Sequence, residues 1–150
     1  MIYIPNKYTN IVYLTSLSFF INFLSCIKNK YYFSGIFSLL LYFTTVTLWS
    51  NYNEDYRHKI DKNVVIIYSI ITAIDMFIKN KYWYIYYFVS LINISLFFFN
   101  KYFFYNELKY LQNNKEYVDD LLYWIIIFAH TIPMHLVQGL SMAYIVEYYP

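Results

Sequence analysis

Three residues in this chain combine chemically capable side chains with unusual positions. His130 and His135 stand, with Pro133 between them, inside Leu121 to Glu147 (LLYWIIIFAHTIPMHLVQGLSMAYIVE), an apolar run long enough to cross a bilayer. Asp75 follows a second such run, VVIIYSIITAI. Ionisable groups at membrane depth are costly, so they are kept for pairing, proton movement or metal ligation. Two imidazoles are natural metal ligands, but five residues of straight helix turn them about 140° apart, too far round to share an ion. Pro133 changes what is possible. A proline inside a helix removes a backbone bond, and a one-residue bulge there makes a spacing of five behave as four. Metal ligation by this pair therefore requires a bulged helix.

The elements that must position these residues are membrane helices. Of the 150 residues, 60% are hydrophobic and only 13% charged, with mean hydropathy +0.36, which leaves too little polar surface to coat a water-soluble domain. The net charge of +2 comes from lysines clustered between apolar runs, the pattern of membrane-flanking loops, and it excludes a nucleic-acid surface. A single cysteine, Cys26, offers neither an internal disulfide nor a thiolate cluster and reads as a small buried hydrophobe. The opening MIYIPNKYTN lacks the basic segment and cleavage site of a secretory signal, so the first apolar run is expected to stay as a helix.

The expected fold is all-α, a polytopic transmembrane bundle of about five spans forming one domain over 1–150. The spans fall at about 11–27, 31–50, 63–78, 82–99 and 121–146, with polar loops at 51–62 and 106–120. Lys28-Asn29-Lys30 leaves room only for a tight reversal. Ser34, Gly35 and Ser38 in the second span, and Gly139 with Ala143 in the fifth, provide small faces for close helix approach. Asn22 is the interhelical candidate of the first span. Trp49 and Tyr52, and the Tyr82-Trp83-Tyr84 cluster, suit interfacial belts. In the first loop, Arg57 reads as a headgroup anchor and His58, between two cations, as solvated. The second loop has room for a short surface helix before a turn at Asn113-Asn114, and Asp119-Asp120 opens the fifth span at the end that favours acidic residues.

Counting along the helices sets depth and orientation. Odd-numbered spans run the same way, so Asp75, fourteen residues beyond Asp61, and His135, fourteen beyond Leu121, are expected at one level with Asn22 nearby. This gives a buried Asp75–His135 contact as one expectation. The other is that Asp75 snorkels towards Lys79 and Lys81. Seven of the eleven Lys and Arg residues lie on the side of the N-terminal tail and even loops, which makes the N-terminus cytoplasmic.

Ser50 and Asp61 in WSNYNEDYRHKID, with the histidines of AHTIPMHLVQG, resemble the membrane hydrolase superfamily that includes the alkaline ceramidases and the progestin and adiponectin receptors. That family holds a zinc on three histidines with a serine and an aspartate nearby. The resemblance covers about forty residues. It differs in having the late pair spaced five apart rather than four, Asn53 where an early histidine would stand, and five spans rather than seven. It implies zinc on His130 and His135 with a carboxylate or water, Asp61 as general acid/base and Ser50 orienting the oxyanion, acting on a lipid amide or ester. His58 would supply the missing ligand only if its loop folded inward.

Without a complete enzymatic motif, the first expectation for function is a small multi-pass membrane protein, structural or partner-interacting, that uses no cofactor, meets lipids, and joins identical or different subunits through its small-residue faces. The zinc hydrolase is the alternative. A transport role through Asp75, His130 and His135 is third, since five helices would have to oligomerise to form a pore.

Overall fold

Among the described residues five helices follow one another: α1 (Asn6–Lys28), α2 (Tyr32–Trp49), α3 (Tyr56–Lys79), α4 (Trp83–Asn113) and α5 (Asp120–Tyr148). The computed structural model describes residues 4–50 and 56–149, and the side chains of Arg57 and His58 lie outside that description. Among the described residues there is no strand, and the all-α class holds. Four of the helices, all but α3, are long and apolar enough to cross a membrane. Lys62, Asp75 and Lys79 set α3 apart.

The helix ends follow local chemistry. Asp119 caps α5, its carboxylate accepting the Leu121 amide proton at 3.0 Å, as an acidic residue at a helix start should. The reversal after α1 is as tight as its length demands: Lys30 sits at φ 67°, and the Tyr31 amide reaches back to the Cys26 carbonyl at 2.8 Å. Lys115 repeats this geometry after α4 at φ 57°, beside the Asn113-Asn114 turn.

Three boundaries differ from the sequence reading. Helix α1 starts at Asn6, five residues before the expected span, because Tyr8 and Thr9 are buried rather than flanking. The polar stretch expected as a loop over 51–62 is helical from Tyr56 onward, its first five residues lying outside the described set. The stretch expected as a loop over 106–120 continues α4 to Asn113, anchored by the fully buried Leu108.

Each helix packs on its neighbours in sequence, and α5 closes the ring against α1. The α3–α4 seam is the most sparsely packed. Helices α1 and α5 run parallel, as two ion pairs show: Lys7 meets Asp120 at 3.0 Å where both helices start, and Lys28 meets Glu147 where both end. Small residues set the spacing. A Cβ on Gly139 would lie 2.7 Å from Ser18 Oγ and 3.3 Å from the Ser18 backbone carbon, so α5 touches α1 there almost backbone to backbone.

The interior is unusually polar and the exterior unusually apolar. Ser18, Asn22, Ser34, Ser38, Thr45 and Asn93 are buried, whereas Leu14, Phe33, Ile70, Phe88 and Leu91 are exposed. In water this distribution would leave a large apolar surface uncovered. In lipid it is stable, because the outer side chains are solvated and the inner polar groups bond to each other. The chain is a membrane protein.

Candidate functional site

The bulge that the histidine pair requires is present. Ile132–Val137 of α5 winds as a wide π turn with Pro133 in its first positions, where the missing proline N–H forfeits one regular helix bond. The extra residue brings His130 and His135 onto one face, their ring centroids 5.1 Å apart at an interplanar angle of 74°.

Helix α1 fixes His135. Ser18 Oγ donates to the His135 carbonyl at 2.7 Å, satisfying a backbone acceptor in the wide turn. Thr15 Oγ1 lies 3.1 Å from His135 Nδ1. The same hydroxyl is 3.0 Å from the Ile11 carbonyl and 3.2 Å from that of Val12, so its one proton is used within α1. Nδ1 of His135 then carries the ring proton and donates to Thr15, leaving the Nε2 lone pair for a proton or a metal. Phe19 packs on the ring at 5.1 Å. His130 is half-buried between Trp49, at 5.3 Å, and Phe97, at 6.0 Å. Trp49 is therefore an interior residue, 4% exposed, and not part of an interfacial belt; Tyr52 lies outside the described residues.

Both histidines line a partly open cavity of about 40 Å³, together with Asp61, Thr45, Tyr68 and Gln138. Such a space admits a small number of waters. Asp61 Oδ1 accepts hydrogen bonds from Thr44 at 2.9 Å and Thr45 at 3.1 Å, which hold the carboxylate against α2. Two imidazoles and one carboxylate on a common cavity are the donor types of a catalytic zinc, which takes three protein ligands and keeps one open position. As the side chains stand, no group of three His, Cys, Asp or Glu among the described residues is gathered closely enough to hold a metal ion. The two histidines fit such a site, and Asp61 would have to come closer to complete it.

Ser50 does not join the cavity. It is exposed at the end of α2, and its hydroxyl donates to the Thr47 carbonyl at 2.8 Å. The side chain of His58 lies outside the described residues.

Asp75 is buried but bonded elsewhere. Its carboxylate accepts from Ser34 Oγ at 2.6 Å and pairs with Lys79 at 3.0 Å, so of the two expectations the lysine pairing is the one found. The Asp75–His135 contact is absent from the bonds of the described residues because Asp61 itself lines the cavity with His135, so Asp75, fourteen residues further along α3, lies about 21 Å along the helix from that level. Helices α3 and α5 are also not adjacent in the ring. Asn22 is buried and interhelical as expected, donating to Ser38 at 3.1 Å and to Tyr68 at 2.8 Å.

Gln138 carried no signal in the sequence beyond being an amide in an apolar run, yet it is the hub of the α4–α5 seam. Its amide nitrogen donates to Tyr86 at 2.8 Å and Ser90 at 2.9 Å, and its oxygen accepts from Asn93 at 3.0 Å. Comparison of the chain with protein-family models, curated proteins and solved structures gave no match.

Proposed function

We propose that this is a multi-pass membrane protein with a cytoplasmic N-terminus, whose buried polar side chains hold a lipid-solvated helix ring in register and leave its outer faces for lipids and partner subunits. The observation that carries this reading is that all five seams have a polar bond. Asn22–Ser38 joins α1 to α2, Asp61 and Asp75 join α3 to α2, Tyr87 joins α4 to the Ala73 carbonyl of α3, Gln138 joins α5 to α4, and His135 joins α5 to α1. Such bonds contribute about 0.6 kcal/mol each on average in membrane proteins, enough together to fix one arrangement. Single cysteines near Lys115 and near Asn29, probed with an impermeant maleimide in intact cells, test the topology. Labelling at Asn29 alone is expected, and labelling at Lys115 alone would reverse the orientation.

A second reading is favoured by the π turn. It brings two imidazoles together inside the bilayer, which helix packing alone does not call for. In this reading His130 and His135 hold a zinc and the centre hydrolyses a lipid amide or ester. The metal would supply Lewis acidity and an activated water. Thr15 orients the His135 ring, and Asp61 handles a proton across the cavity. Ser50, exposed and turned to its own helix, takes no part. Metal analysis of purified protein tests it. Stoichiometric zinc in the wild type, lost in both His130→Ala and His135→Ala, is the expected result, and a metal-free wild type would end the reading.

A further inference from the structure

A larger groove opens beside the histidine cavity. It measures about 440 Å³, within the roughly 300–1,000 Å³ range of small-ligand sites. It runs along the α3–α4 seam, the loosest of the ring, with Ala73 on one wall and Phe88, Leu91 and Ile94 on the other. Phe88 and Leu91 are exposed, so this wall continues into the lipid-facing surface of α4. Ser69, Met134 and Gln138 line both the groove and the histidine cavity, which makes the two spaces neighbours across these three side chains.

The floor of the groove is polar at a depth where the bilayer is not. Tyr86, Ser90, Asn93 and Gln138 form a hydrogen-bonded cluster there. Ser90 lies seven residues after the start of α4, and Gln138 ten before the end of α5, so the cluster sits about 10–15 Å in from that end of the ring. A phospholipid standing upright keeps its head at the interface and offers this cluster only hydrocarbon. A lipid that tips its head into the groove offers hydrogen-bonding groups. The residues lining the groove carry no charge, so a charged head would be desolvated without a counter-ion there, whereas hydroxyls, amides and esters find donors and acceptors.

We propose that the α3–α4 seam is a lateral opening through which an uncharged lipid, such as a monoacylglycerol, places its head beside Gln138 and faces the His130–His135–Asp61 cavity while its tail stays along α4. The binding stands by itself; only its consequence as substrate delivery rests on the hydrolase reading. Ser69, Met134 and Gln138 form the partition between the two spaces.

The test uses the full chain in phosphatidylcholine nanodiscs and a monoacylglycerol bearing a diazirine next to its head, with the labelled residues mapped by mass spectrometry. Labelling is expected on the segment containing Met134 and Gln138. Unlabelled monoacylglycerol should compete, a lysophosphatidic acid should not, and Ala73→Trp or Leu91→Trp, which fill the groove, should each reduce labelling there by about tenfold. Labelling confined to outward residues such as Phe88, or equal competition by the charged lipid, would overturn the proposal. The wild-type map does not depend on either variant folding. Zinc content is read in parallel. Labelling without zinc leaves the opening in place and removes the hydrolase, whereas zinc without labelling at Met134 does the reverse.

Discussion

Replacing Gly139 by alanine tests the close approach of α5 to α1 that holds the π turn. In an isolated helix this change is favourable by about 1 kcal/mol, because glycine loses more backbone freedom on folding. Here the new methyl would meet Ser18 Oγ at 2.7 Å and the Ser18 backbone carbon at 3.3 Å. The hydroxyl can rotate away only by giving up its bond to the His135 carbonyl, and the backbone cannot rotate at all. Overpacking costs about 1–3 kcal/mol and the lost bond roughly 0.5–1.5. Set against the propensity gain, Gly139→Ala should destabilise the ring by about 1–3 kcal/mol. Unfolding of the protein in mixed micelles measures the change, read beside Ser18→Gly and the double variant. In the Ser18→Gly background the clash with Oγ and Cβ disappears and only the 3.3 Å approach to the backbone carbon remains, so Gly139→Ala should cost clearly less there than in the native chain. A Gly139→Ala variant of the otherwise native chain that is more stable by the full propensity gain would show that the helices do not touch at this point, and the account of His135 would fall with it.

Three further outcomes follow from particular residues. Deleting Ile132, whose side chain faces outward, converts the wide turn to regular helix with the histidines four apart; it should fold and keep their contact, whereas inserting an alanine after Ile132 should not, as thermal melting in detergent would register. Asn22→Leu removes the bonds to Ser38 and Tyr68 and should cost about 1–2 kcal/mol in the same unfolding assay, with Ser38→Ala costing less in that background than in the native one. Lys115→Gly relieves a left-handed backbone position at φ 57° and should raise stability by about 1 kcal/mol, whereas Lys115→Val should lower it.

What was legible in the sequence was whatever depends on composition and local rules: five helices, the tight reversal at Lys28-Asn29-Lys30, the Asp119 cap, the small face at Gly139, and Asn22 as an interhelical side chain. What failed depended on how deep a polar residue lies. Asp61 reads as a span boundary because polar residues surround it, yet it lines the cavity of His135, and Asp75, fourteen residues further along the same helix, lies about 21 Å past that level. Trp49 failed for a related reason. An aromatic residue at a span end looks interfacial, but the ring places a half-buried imidazole beside it at 5.3 Å.

The histidine pair lies between these cases. Pro133 marks where a bulge is allowed, and no local rule says that it forms. Its formation depends on α1, which offers Ser18 Oγ to the His135 carbonyl and Thr15 to the ring, and which comes close enough only because residue 139 has no side chain. The two contacts are also the two that orient the imidazole towards the cavity. Packing and chemistry are thus one arrangement at this point. A change on α1 that never touches the cavity, such as Thr15→Val, would keep the helix ring but release the His135 tautomer, and with it the Nε2 lone pair on which either a metal or a proton transfer depends.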